Sequence, residues 1–330
     1  KLTEAPELPA TTLKTECYQE MFRACTSLNK ITCLATDISA TDCTKDWVIA
    51  VASNGTFTQA PGVIWSTGKS GIPSSWTVTG VNWIGSKTPY QTKVVGDIVF
   101  TDGSASSYTE LDSLTDDQKA AAIALIFYKG SDCNDEGVST PRTLGVGLKH
   151  NKDGIRWCRS ETDENSANAF NLNITTIQCS VSGDAGALTI TGDKNGSDNL
   201  EQIAAFLTAN GSSDDTGTDE NYPAFYFAKN YKNMEGSRVN GTAFADNWYL
   251  PSIAELYQIH LCIKDTMNGF NIDEASDALG GDKFTTSAYR SSSQCVESDQ
   301  YVCHLYISTG MYRASIKAGS AGYICVIREF

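Results

Sequence analysis

The sequence predicts an α+β protein, and three observations carry that expectation. Between residues 251 and 267 apolar side chains recur at helical spacing, as Ile253, Leu256, Tyr257, His260, Ile263 and Met267. Between 302 and 316 the texture changes to alternation broken by a Thr309-Gly310 turn. Before and after these stretches, short apolar runs are punctuated by Gly-bearing turns such as Gly280-Gly281.

The elements follow in order. Residues 1–91 read as irregular and strand-leaning. Pro6 and Pro9 mark a loose arm over 1–12. A helix is expected within 17–34, where Tyr18, Met21, Phe22, Cys25 and Leu28 approach helical spacing. Strands are expected at 47–51, around Phe57, at 63–65 and at 76–83. Trp47, Trp65, Trp76 and Trp83 fall here, as core and inter-strand packing or as a sugar-stacking platform. Residues 85–89 mark a boundary, and no internal repeat is apparent.

A compact domain is expected from residue 92. Val94–Phe100 reads as a strand. Asp116 and Asp117 lead a helix expected over 118–128, with acids where the helix dipole favours them. Short strands are expected at 144–148, 156–158 and 188–191. Asp198 caps a helix over 200–209 that ends at Asn210-Gly211. Pro251 suits a first helical turn, and Ser252 with Glu255 has the form of a capping box. In 302–308, Cys303, Leu305 and Ile307 share one face, and Val302, His304, Tyr306 and Ser308 the other. Residues 323–328 are apolar enough for a central strand.

Composition narrows the function. The net charge of −14 and pI near 4.6 leave no basic cluster for phosphates or anionic lipid. No apolar run approaches the ~20 residues of a membrane helix. Eleven cysteines include no CxxC pair, which argues against a zinc ribbon or a thioredoxin-type site. Cys17, Cys25, Cys33 and Cys43 are spaced for two bridges, and the odd total leaves one thiol over. His150, His260 and His304 are too scattered for a histidine metal cluster. Residues 193–198 only faintly match a calcium loop, and no metal or cofactor is expected. Ser291-Ser292-Ser293 lacks the glycines of a nucleophile elbow. Cys303 and Cys325 are read as buried small apolar residues rather than a redox pair. The hairpin and the loop after it, rich in Tyr, Ser, Arg, His and Gly, have a paratope-like composition, which an ordinary solvated hairpin would share.

The order WYLPSIAELYQI, GGDKF, SSSQ, a Gly-turned hairpin and YICVIREF resembles the C-terminal part of C-type lectin-like domains of the formylglycine-generating-enzyme type. Within that fold it is similar to the variable proteins of diversity-generating retroelements of the Treponema type. VVGDIVFTDGS, LTDDQKAAAIALIFYKG, LGVGLKH and YPAFYFAKNY resemble the same proteins. The resemblance covers about residues 92–330. It implies short twisted antiparallel sheets, few helices and much irregular loop, with a variable region at about 286–328. It also implies an error-prone reverse transcriptase that rewrites the 3′ end of the gene at adenines, mostly in Asn codons whose products exclude Lys, Glu, Gln, Met and Trp. Gln294, Glu297, Gln300, Met311 and Lys317 are then framework. Ala288, Arg290, Cys295, His304, Tyr306, Ser308, Thr309, Tyr312, Arg313, Ser315, Ala318, Ser320, Ala321 and Gly322 are permitted variable, ligand-binding positions. A variable Cys295 would account for the odd thiol. Tyr306, Tyr312 and Arg313 are the expected anchors.

The implied function is a non-enzymatic, surface-displayed ligand-binding protein. It would be exported, monomeric, and held at the membrane only through a lipid anchor outside this chain. Its partner would be a diversified ligand, a protein on a host or neighbouring cell, and not a nucleic acid. EPN and WND, the calcium-sugar motifs of C-type lectins, are absent from the sequence. The alternatives are a copper- or thiol-dependent oxidase of the formylglycine-generating type, needing two close cysteines in a cleft, or a structural surface lipoprotein with no specific ligand.

Overall fold

The computed structural model describes the chain except for residues 61–62, 81–82, 161–167, 213, 265–268, 285 and 321. It divides into two compact units, Lys1–Trp83 and Ile84–Phe330. The division falls ahead of the expected one because residues 85–89 are already bound into the second unit: Lys87 bridges Ala105.

The first unit is a short stack of coils. Strands β1 (Lys30–Cys33), β2 (Thr56–Gln59) and β3 (Thr77–Gly80) pair in parallel, Lys30 opposite Thr56 and Thr56 opposite Thr77. Between the strands the backbone repeats itself. The N–H groups of Glu16, Tyr18, Glu20, Phe22 and Ala24 donate to the carbonyls of Thr41, Cys43, Lys45, Trp47 and Ile49. Glu16, Glu20 and Ala24 have positive φ, and so do Asp42, Asp46 and Ala50. Left-handed residues at every fourth position cannot belong to a right-handed helix. So the helix expected within 17–34 is absent, as is the strand expected at 47–51, and both stretches are the same staircase of turns. A repeat is therefore present: the Cys17 thiol meets the carbonyl of Cys43, 26 residues on. The expected strands at Phe57 and within 76–83 are β2 and β3, whereas 63–65 is not a strand.

Tryptophans fill these coils rather than forming a platform. Trp47, Trp65 and Trp76 are buried. Trp47 stacks on Trp65 at 5.5 Å and meets Phe57 edge-on at 6.1 Å. Its indole N–H donates to the Gly71 carbonyl at 2.7 Å. All eleven cysteines are free thiols, so the expected bridges among the first four are not formed.

The second unit is mixed α+β, with two five-stranded sheets. One, in the order β13-β7-β6-β4-β5, is antiparallel throughout. It comprises β4 (Asp97–Phe100), β5 (Ala105–Ser107), β6 (Ala122–Gly130), β7 (Arg142–Gly147) and β13 (Ile327–Glu329). The other, in the order β12-β11-β10-β8-β9, comprises β8 (Gln178–Asp184), β9 (Ala187–Gly192), β10 (Ala288–Cys295), β11 (Tyr301–Tyr306) and β12 (Met311–Ile316). There β10 and β8 run parallel and the remaining pairs antiparallel.

The second unit departs from three expectations. The helix α1 stops at Asp116–Ala121, and the residues expected to extend it form β6. The run from Ala122 to Tyr128 is buried at every position, which is how a strand covered on both faces reads. The terminal strand is short and lies at an edge, not at the centre. Residues 156–158 also form no strand. The other helices are α2 (Asn199–Ala209), α3 (Pro223–Lys229), α4 (Ile253–Lys264) and α5 (Ile272–Ala278).

Helix α4 joins the two sheets. Its Ile253, Leu256 and Ile259 pack in one core with Leu125 and Phe127 of β6 and with Cys303 and Leu305 of β11. The helix begins after Ser252, so Pro251 stands outside the first turn. The capping box forms: Glu255 N–H donates to Ser252 Oγ at 3.2 Å, and Ser252 N–H to Glu255 Oε2 at 2.8 Å. Met267, expected on the same face, lies outside the described residues. Ser291, Ser292 and Ser293 are wholly buried and tie β10 to its surroundings; Ser293 Oγ accepts the Ile253 N–H at 3.0 Å.

Candidate functional site

The hairpin β11–β12 supplies the site because its two faces have opposite chemistry. Across it, His304 lies opposite Arg313, Tyr306 opposite Met311, and Val302 opposite Ser315. On its other side β11 pairs with β10, placing Ala288 opposite Tyr306 and Arg290 opposite His304. Side chains directly opposite share a face. One face therefore carries His304, Tyr306, Arg313, Ser315, Ala288 and Arg290. The other carries Cys303, Leu305, Tyr289, Tyr312 and Ala314, turned to the core.

The hairpin turn is fixed from below. Gly310 has φ +67°, and a Cβ there would come within 2.5 Å of His260 Nε2. The Gly310 carbonyl accepts from Gly186 N–H at 3.1 Å, and His260 Nδ1 lies 2.6 Å from the Ile307 carbonyl. His260 is thus a packed histidine.

The segment 322–324 closes the other wall. Tyr323 N–H donates to the Ala288 carbonyl, and Arg290 N–H to the Tyr323 carbonyl, both at 2.9 Å. On the far side Ile324 exchanges hydrogen bonds with Asn151, and Ile155 N–H reaches the Gly322 carbonyl at 3.2 Å. Hairpin, segment and the 152–154 loop enclose a cleft of about 540 Å³. Ala288, His304, Tyr306, Arg313, Ser315, Ser320 and Gly322 all line it. Lys152, Asp153, Gly154, Thr286, Ser287 and Tyr323 complete the lining, and sequence reasoning did not find them. Local periodicity carries no signal for Lys152–Gly154, which arrive through long-range pairing.

Other expected positions lie elsewhere. Arg290 is wholly buried under the cleft, its guanidinium donating to the Lys317 carbonyl at 3.3 Å and the Gly319 carbonyl at 2.7 Å. Cys295 is also wholly buried, its sulfur 3.3 Å from that of Cys303. Neither presents a side chain to a ligand. Tyr312, an expected anchor, falls on the core face because its register partner is Leu305; its hydroxyl lies 3.2 Å from Cys295 Sγ. Ser308 and Thr309 are exposed at the hairpin turn, outside the cleft, and Ala318 does not line it. Ala321 lies outside the described residues. Gly322 lines the cleft but cannot vary freely: a Cβ there would come within 2.9 Å of His304 Cε1.

Three of the residues expected to be framework, Gln294, Gln300 and Lys317, act as ties, whereas Met311 is exposed. Lys317 is wholly buried, and its ammonium donates to the Ala169 carbonyl at 2.6 Å and the Leu172 carbonyl at 3.1 Å. It also meets Gln294 Oε1 at 3.2 Å, an oxygen that accepts the Ile174 N–H as well. Gln300 Nε2 donates to Asn171 Oδ1 at 2.7 Å. These bonds pin residues 169–174 to the sheet that bears the cleft. Burial pushes the Lys317 pKa down to about 8.

His304 stands out electrostatically. It is 2 % exposed, and its buried Nε2 has no hydrogen-bond partner among the described residues. An unpaired buried polar atom costs about 1–3 kcal/mol. Burial, then the positive charges of Arg290 and Arg313, hold its pKa well below the ordinary histidine value. The unfolded chain therefore takes up this proton first as pH falls. His304's contribution to stability is complete above about pH 6.5 and erodes below it, by up to about 1.4 kcal/mol per pH unit. The stability advantage of the wild type over His304→Asn should accordingly shrink between pH 6.5 and 5 in urea titrations. An advantage that grew with acidity would show that His304 is charged in the folded state.

Among the described residues no group of His, Cys, Asp and Glu is arranged to hold a metal ion. No helix there is long and apolar enough to cross a membrane. No family model and no curated protein matches the chain. Among solved structures, a fimbrial protein from Bacteroides ovatus aligns with a TM-score of 0.46 at 13% identity. The alignment covers 78% of this chain and 50% of that one, a likeness too slight to assign a fold or a role.

Proposed function

We propose that the second unit is a C-type lectin-like domain of the formylglycine-generating-enzyme type, and that its hairpin cleft is the diversified ligand site of a surface-displayed binding protein. One observation carries the reading. Seven positions singled out as permitted to vary converge from three separate segments on one cleft. The sheet face behind them is core. Side chains at the cleft can then change at little cost to stability, because the packing lies on the opposite face. The buried Arg290 and Cys295 and the crowded Gly322 narrow the variable set to residues facing the opening. The protein would be exported and held at the bacterial surface by a lipid anchor outside this chain.

The oxidase alternative asks for two close cysteines in a cleft. Cys295 and Cys303 are close, but both are wholly buried on the core face. Burial, with Cys295 beside it, raises the Cys303 thiol well above its ordinary pKa, the reverse of a reactive thiolate.

Tyr306 and Arg313 are the contact anchors. Peptide ligands selected from a displayed library against the wild-type chain should lose binding to the Tyr306→Ala/Arg313→Ala variant. The melting temperature should stay nearly unchanged, since Arg313 is exposed and Tyr306 only partly buried. Ligands indifferent to the double change would place the site elsewhere. A large fall in melting temperature would make these residues structural.

A further inference from the structure

We propose that the cleft recognises its ligand through an oxyanion, a carboxylate or phosphate-type group seated between the Arg313 guanidinium and the His304 imidazole. The inference rests on the cleft being a ligand site and specifies its chemistry.

Three observations support it. First, Arg313 is exposed on the cleft wall, and among the described residues it forms no ion pair. Its Nη1 lies 3.4 Å from the phenol oxygen of Tyr306. Second, His304 sits directly opposite Arg313 in the ladder and lines the same cleft. Among the described residues its buried Nε2 has no hydrogen-bond partner. A neutral imidazole carries one N–H donor and one acceptor, and an oxyanion takes the donor. Third, the charge around the imidazole is positive: Arg290 lies beneath it and Arg313 beside it. The lining includes a single carboxylate, the exposed Asp153, while Lys152 is already paired with Asp282 at 2.9 Å.

The cleft's size and walls fit a small organic anion rather than a bare ion. A volume of about 540 Å³ falls within the usual range for ligand sites. Tyr306 and Tyr323 offer ring surface, and Ser315 and Ser320 offer hydroxyls. An anion bound beside His304 would offset the field of the two arginines, so binding would favour the protonated ring. Arg313 and imidazolium together would then supply charge-assisted hydrogen bonds.

The test uses the full chain, with histidines labelled for imidazole NMR and His304 assigned by comparison with His304→Gln. The probes are benzoate, phenyl phosphate and the neutral benzamide, at constant ionic strength. We expect benzoate or phenyl phosphate to shift the His304 ring resonances saturably and to raise its pKa. Benzoate alone, or phenyl phosphate alone, identifies which oxyanion fits. Arg313→Gln should weaken that binding about tenfold or more. Benzamide binding as tightly as benzoate would overturn oxyanion recognition while leaving the cleft a ligand site. Saturable binding undiminished in Arg313→Gln would also overturn it. So would the absence of any saturable shift with all three probes; the library selection against the Tyr306→Ala/Arg313→Ala variant then judges the ligand site separately.

Discussion

Glu255→Ala should destabilise the second unit by about 3–5 kcal/mol. The carboxylate is wholly buried and serves four donors from three parts of the chain. Oε1 pairs with the Arg142 guanidinium at 3.1 Å and accepts the Tyr249 hydroxyl at 2.9 Å. Oε2 accepts the amides of Ser252 at 2.8 Å and Gly196 at 3.1 Å. Burial pulls its pKa up, and these partners pull it back. Alanine would strand the Arg142 charge at about a tenth exposure, with only the half-exposed Glu329 as a remaining carboxylate. It would also uncap α4, the helix joining the two sheets. Glu255→Gln keeps an acceptor for the cap and should cost less. Urea titrations of the three proteins would check this ranking. Equal losses for Ala and Gln would show that charge alone matters. No loss in either would mean that the network is not structural.

Trp47→Ala should cost the first unit about 3–5 kcal/mol, much of what an 83-residue stack can hold. The indole is wholly buried, lies between Tyr18 and Trp65, and is the partner of the Gly71 carbonyl. It spans successive coils, so its loss opens a cavity in the whole stack. Limited proteolysis should then cut within residues 1–83 at protease levels that spare the wild type. Unchanged resistance there would mean that the coils hold without their central ring.

Periodicity made parts of this fold legible. Alternation over 302–308 assigned the faces of β11, and the Ser252–Glu255 spacing located the start of α4, because each is a local signal. Registers across a turn are not local. Tyr312 and Arg313 are neighbours in sequence, yet one meets Leu305 on the core face and the other His304 in the cleft. The stretch after Ala121 follows a well-capped helix start, and only its burial on both faces makes it a strand. The coils of the first unit were hidden differently. Their repeat pairs Glu16, Cys17, Glu20 and Ala24 with Asp42, Cys43, Asp46 and Ala50, in backbone conformation and in side-chain type, at a spacing of 26 residues that a reading for helical or strand periods does not register. The cleft was half legible. Its hairpin wall followed from alternation, whereas Lys152–Gly154 and Tyr323 are brought there by long-range hydrogen bonds.

Diversification of the cleft is tested most directly by deep sequencing of the gene's 3′ end in a growing population, read against any near-identical template copy nearby. The account predicts substitutions in the codons for His304, Tyr306, Arg313, Ser315 and Ser320 at the positions where the template carries adenine, with the codons for Gln294, Gln300 and Lys317 constant. An invariant 3′ end with no template copy would contradict it, as would substitutions spread evenly over core and cleft codons.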